Sequence, residues 1–216
     1  MIRIFPLFGF CLLAWSLTFA EESNSPLESP KPIQFDLGVS VDGAYGMWNA
    51  KLEKEHFDAP QFGFGVSALW GYGHFAFRIS GIGKYQAIYA SEGTQATINE
   101  GFWRFGGGGA LRIQQNARNG FWTELGSHAL FAVKKEITLV ENAEQNILWQ
   151  LKSKVQVPLE ISAGYRIPQK AFRWEFALFG SYDLTEPLSL RANKTVIQAK
   201  SMAVGARISL WGGIFK

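Results

Sequence analysis

From Ile33 to Asp42 the chain alternates. Ile33, Phe35, Leu37, Val39 and Val41 stand against Gln34, Asp36, Gly38, Ser40 and Asp42. Successive side chains on a strand point to opposite faces, so this is a strand with one apolar and one polar face. The period of two returns seven more times, and its parity is reset at turns. Strand two sets Phe62, Phe64, Val66, Ala68 and Trp70 against Gly63, Gly65 and Ser67. Strand three sets Phe75, Phe77, Ile79 and Tyr85 against Arg78, Ser80, Lys84 and Gln86. Strand four has Trp103, Phe105, Leu111 and Ile113 opposite Arg104, Gly106, Gly108 and Arg112, and strand five has Phe121, Thr123, Leu125, Ala129, Phe131 and Val133 opposite Glu124, Gly126, His128 and Lys134. Strand six runs from Trp149 to Ile167, with Lys152, Lys154, Gln156, Glu160 and Arg166 on its polar side. Strand seven alternates from Phe172 to Asp183, and strand eight from Ser201 to Leu210.

The connections have a rhythm of their own. Gly71 to His74, Gln114 to Gly120 and Pro168 to Ala171 are short, whereas Gly46 to Pro60, Ala90 to Gln95, Lys135 to Asn146 and Thr185 to Thr195 are long. Short and long alternate. The expectation is an all-β fold: an eight-stranded antiparallel up-and-down barrel, a meander with tight turns at one end and longer loops at the other.

Alternation alone fits two barrels. A soluble one encloses its apolar face, and a membrane one turns that face to lipid and ionises its lumen. Two features favour the membrane barrel. Arg78, Arg104, Arg112, Glu124, Glu160, Arg173, Glu175 and Arg207 fall mid-strand on the polar face, which predicts an ion-pair network inside a narrow lumen. Aromatic residues also gather at the strand ends. Trp70, Tyr72, Trp122, Tyr165, Trp174 and Trp211 lie near the tight turns; Tyr45, Tyr85, Tyr89, Trp149 and Tyr182 lie near the opposite ends. Amphipathic rings favour the two edges of a bilayer, so these residues predict two aromatic belts.

The N-terminus bears on the compartment. Arg3 precedes an apolar run, Leu7 to Leu17, which ends at Thr18-Phe19-Ala20; this reads as a signal peptide over residues 1–20, cleaved after Ala20. Residues 21–32, EESNSPLESPKP, read as a disordered lead-in, and residues 33–216 as the barrel. The single cysteine, Cys11, leaves with the signal, so the exported chain has neither a disulfide nor a cysteine-ligated metal. Losing Arg3 takes the formal charge from +3 to +2, too small a surplus to imply nucleic acid.

Candidate chemistry is sparse. His128 and Glu160 both face inward, and hairpin counting brings them close, so they form the one acid–base pair that fits a catalytic reading, such as lipid deacylation or acyl transfer. Ser127 points to the opposite face, and His56 and His74 are predicted in loops at opposite ends, so the histidines do not converge. Gly106 to Gly109 lack the Lys-Ser/Thr that a phosphate loop needs and lie inside a strand, where they predict close packing. Gly46-Met47-Trp48 matches the lipocalin GxW in three residues only. No cofactor is implied. Alternation continues past Val133 through Ile137 and Leu139, and returns through Ile147 and Trp149, which predicts a two-stranded ribbon beyond the membrane, turned by Glu141 to Asn146 and offering strand edges to an extracellular protein.

Over Ile33 to Phe215 the architecture resembles the small eight-stranded outer-membrane barrels, the OmpA-type transmembrane domain and the OmpX-like proteins. That resemblance implies insertion among outer-membrane lipid and lipopolysaccharide, and surface adhesion or interaction rather than catalysis. It also implies recognition by the barrel-assembly machinery through the C-terminal stretch Gly205 to Leu210, although Lys216 follows Phe215, where such chains usually end on the aromatic. A narrow solute channel and a lipid-modifying enzyme are the alternatives.

Overall fold

The computed structural model describes residues 33–50, 56–90, 99–116, 119–133, 136–141, 147–169, 171–192 and 195–213. The predicted signal, lead-in and terminal Phe215-Lys216 lie outside them. Eleven strands form, and no helix among the described residues. They are β1 (Ile33–Ala50), β2 (His56–Tyr72), β3 (Phe75–Ala90), β4 (Asn99–Gln114), β5 (Gly120–Ala132), β6 (Glu136–Glu141), β7 (Ile147–Ser153), β8 (Pro158–Pro168), β9 (Phe172–Asp183), β10 (Leu188–Ala192) and β11 (Thr195–Gly213).

Eight of these close a barrel. The order β1-β2-β3-β4-β5-β8-β9-β11 is antiparallel throughout, and β11 pairs back onto β1 from Asp36↔Gly213 to Ala50↔Ala199. Among the described residues, closure leaves no unpaired edge in this ring below its rim, the condition a sheet must meet to sit in hydrocarbon. One end carries tight connections. Gly73, at φ 60°, sits in the two-residue link between Tyr72 and its partner Phe75, a left-handed conformation that favours glycine. Gly120, at φ 101°, opens β5 where the Gln115 amide donates to Phe121 O (2.9 Å).

At the other end the strands outrun the sequence-based boundaries. The stretch Gly46–Pro60, predicted as a loop, is mostly ladder: β1 and β2 stay paired up to Asn49↔His56, so Gly46-Met47-Trp48 and His56 lie in strands. Turn-forming residues suggested a loop there, but β1 and β11 hold the chain extended. Pro60 leaves a different mark. It has no N–H, and the β2–β3 ladder lapses at Ala59 and Pro60 while the β1 side continues.

Strand six is two elements. β7 and β8 are separated at Lys154 to Val157, with Pro158 as the first residue of β8. Strand five breaks after Ala132, and the predicted loop Thr185–Thr195 contains β10 and the start of β11. β6 pairs with β7 as expected of a ribbon, Glu136↔Lys152 through Glu141↔Ile147. Yet β7 also pairs with β10, and β10 with β11, so the ribbon is the margin of a larger sheet rather than freestanding. The side chains of Ile137, Leu139, Ile147 and Trp149 lie outside the described set, as does that of Tyr89.

Candidate functional site: the ionised lumen and the open rim

The two faces differ as a membrane barrel requires. Val39, Val66, Ile79, Leu111, Leu125, Leu178 and Val204 are exposed on the outside, while Arg78, Arg112, Arg166, Arg207, Glu124, Glu160 and Glu175 are buried within. In water this arrangement would waste the apolar area and desolvate the charges. Among lipid the outward face needs no water, and the charges find partners across a narrow lumen.

Arg112 is the hub. Its Nε donates to Glu124 (3.1 Å), while Nη1 and Nη2 form a fork on the two oxygens of Glu175 (2.7 and 3.2 Å). A planar guanidinium can serve two carboxylates at once in a way an ammonium cannot. Arg78 closes on the other oxygen of Glu124 (2.6 Å), and Arg166 on Glu175 (2.5 Å). Nearer the rim, Arg207 grips both oxygens of Glu160 (2.8 and 3.1 Å). Nearer the tight turns, Arg173 pairs with Asp36, which also accepts from Gln34.

Two expected belt residues are inside instead. Trp122 and Trp211 are 4% and 1% exposed, and the Arg112 Cζ lies 3.9 and 5.8 Å from their ring centres. Position near the turns placed them in the belt, but parity decides the face: the neighbours Phe121 and Leu210 point outward, so the tryptophans point in. Together they cap the network with cation–π contacts. The other described belt residues face out. Trp70, Tyr72, Tyr45, Tyr165 and Tyr182 are exposed, and Tyr85 and Trp174 half-buried. Phe121 packs on Tyr165 (4.8 Å) at one end, and Tyr85 on Trp103 (5.4 Å) at the other.

Arg104 also departs from expectation. It makes no ion pair among the described residues; its Nη1 donates to Lys154 O (2.9 Å) and its guanidinium lies over the Phe102 ring (4.8 Å). Asp183, a counter-charge that acts on it, is held instead by Gln156 and Ser201. Residues absent from the sequence-based network complete it. Asp36, Asp42 and Arg166 all lie on polar faces that the alternation had marked, so that signal was present.

His128 is buried, and Glu160 is among the charges that act on it. No proton-transfer pair results. Both Glu160 oxygens are occupied by Arg207, His128 Nε2 has no hydrogen-bond partner among the described residues, and the Ser127 hydroxyl turns to Pro158 O (3.0 Å). His74 sits in its turn against Gln114 O (3.0 Å). Gly106 and Gly108 let β5 approach closely; a Cβ at either would meet a backbone oxygen at 1.8 or 2.1 Å.

At the level of these charges the lumen is closely packed, and Arg78, Arg112, Glu124, Glu160, Arg166, Glu175 and Arg207 are each at most 5% exposed. A void lined by Arg78, Arg207, Ser67 and Ser80 measures about 10 Å³, room for about one water. In planar bilayers the folded protein is therefore expected to conduct no more than background; stepwise currents would show that the network opens.

The closed ring, the apolar exterior and the ionised interior define an eight-stranded β-barrel of outer-membrane type. In strand number, meander order and polarity the chain resembles the small barrels of that class. No family model matches the sequence, and no curated protein does. Among solved structures, Neisserial surface protein A matches at 13% identity over 80% of this chain and 95% of that one, TM-score 0.41. The attachment invasion locus protein Ail of Yersinia pestis matches at 12% identity over 82% and 99%, TM-score 0.41. The transport unit of the Escherichia coli autotransporter AIDA-I follows at 9% identity over 94% and 97%, TM-score 0.32. At these scores the matches add nothing to the argument, and the assignment rests on the ladder and on burial.

Proposed function

We propose that this chain is an integral outer-membrane protein whose role is interaction at the cell surface, exercised through the rim of extended strands. One observation carries the reading: at the rim the sheet loses closure on one side. Among the described residues the β4–β5 ladder ends at Arg104↔Ala132, with one further bond from the Val133 amide to Trp103 O (3.0 Å), and β6 pairs with β7 but not with β4. Among the described residues the backbone of β6 thus presents an unpaired edge, to which an extended segment of a partner protein can add as a further strand. Tight turns face the periplasm and the rim faces outward, the usual polarity of such barrels. Lipid and lipopolysaccharide surround the apolar band, and the assembly machinery inserts the chain by reading its C-terminal strand.

Deleting Ile137 to Ile147 removes all of β6 but Glu136, and the first residue of β7, without touching the closed ring. Cells displaying the shortened protein are expected to keep its heat-modifiable migration on a denaturing gel. Their adhesion to a panel of immobilised extracellular proteins is expected to fall to the level of cells lacking the protein. Undiminished adhesion would remove the ribbon from the account.

A further inference from the structure

The breaks in the strands have a consequence on the outer surface. Pro158 lies opposite Asp183, and Ser153 opposite Leu188, so β8–β9 and β7–β10 share one register. Against β11 the register slips. Tyr182 lies opposite Met202 but Leu188 lies opposite Ala199, so six steps along one strand match three along the other. The surplus residues form a bow at Leu184 to Pro187. Their ends are anchored by the Lys154 amide on Pro187 O and the Leu184 amide on Val157 O, both 2.8 Å.

The bow leaves an open recess of about 410 Å³, lined by Lys154, Val155, Leu184, Thr185, Glu186 and Lys200. It sits at the rim margin of the apolar band. Val155, Leu184 and the neighbouring Tyr182 are exposed apolar surface, and Lys200 lies above the Tyr182 ring (5.6 Å). By parity Lys200 faces away from the lumen, between the buried Ala199 and Ser201. The Thr185 hydroxyl donates to Val155 O (3.0 Å) and accepts from the Val157 amide (3.1 Å), which fixes the floor. Two ammonium groups and one carboxylate around the recess leave it cationic.

Resting on the outer-membrane reading above, we infer that this recess holds the phosphate headgroup of an anionic outer-leaflet lipid, with Lys154 and Lys200 on the phosphate and an acyl chain lying along Val155, Leu184 and Tyr182. Basic side chains at a membrane interface attract lipid phosphates, and the apolar band below accepts the chain, so headgroup and tail are recognised at one place.

The test uses the full exported chain folded in detergent, with lipid A as probe and native mass spectrometry as readout. Heat-modifiable migration is measured in parallel. The wild type is expected to retain one lipid A per barrel. The Lys154→Gln/Lys200→Gln double variant should bind about 30-fold more weakly, since each lysine near the surface contributes roughly a factor of five or six. Glu186→Gln should bind more tightly than wild type. Lipid A stripped of its phosphates should bind as poorly as the double variant, and inorganic phosphate should not displace the lipid. Equal retention by the double variant and wild type would overturn the inference, as would displacement by inorganic phosphate, which would mark a free-anion site. Failure of the wild type to show a heat-modifiable folded form would instead sink the barrel reading itself.

Discussion

Replacing Arg112 with alanine is expected to cost the folded barrel about 3–5 kcal/mol, read as a lower urea midpoint for unfolding from detergent micelles. The cost comes from what is left behind. Of its described ion pairs Glu124 would keep that with Arg78, and Glu175 that with Arg166, each carboxylate losing its Arg112 contacts while still enclosed. The rings of Trp122 and Trp211 would also face a hole where the guanidinium lay. Arg112→Lys should recover part of the loss, because an ammonium restores the charge but cannot span both carboxylates as a fork. A loss below about 1 kcal/mol, the size found for solvated pairs, would mean that water reaches these carboxylates and that the lumen is not sealed.

The second large effect belongs to a glycine. A Cβ at Gly106 would lie 1.8 Å from Ala129 O, and that oxygen belongs to the backbone of the neighbouring strand. It cannot turn aside as a side chain would. Gly106→Ala should therefore force β4 and β5 apart and prevent closure, leaving most of the chain without the heat-modifiable form. Gly43→Ala is the matched control. Nothing lies within 4 Å of its Cβ position, so it should fold as wild type or gain a few tenths of a kcal/mol from a less flexible unfolded chain. Normal folding of Gly106→Ala would show that close approach of β5 at Ala129 is not required for closure.

Much of this barrel was legible in the residues because period two is a local property. Phe62, Phe64 and Val66 outside, with Gly63, Gly65 and Ser67 inside, follow from strand geometry alone. The same rule would have placed Trp122 and Trp211 correctly, had parity been set above their position near the turns. The rim was less legible. Gly46 to Pro60 and Thr185 to Thr195 contain residues that favour turns, yet they are ladder where a neighbouring strand supplies partners. Strand propensity depends on what lies alongside, and that is not written in the segment itself.

Alternation along the chain determined the number of barrel strands and which side chains share a face; the mid-strand charges and the aromatic strand ends then favoured lipid outside. The three-dimensional fold alone decided which charge meets which. Arg112 and Glu175 are 63 residues apart, and Arg173 and Asp36 are 137 apart. Their meeting depends on how far each strand is staggered when the ring closes, a quantity fixed by all the ladders together. Among the described residues, the same stagger left Arg104 without a carboxylate, opened the edge of β6, and bowed residues 184–187 into a recess. A side chain's facing is set by its own backbone, whereas its height and bearing in the lumen are set by everyone else's.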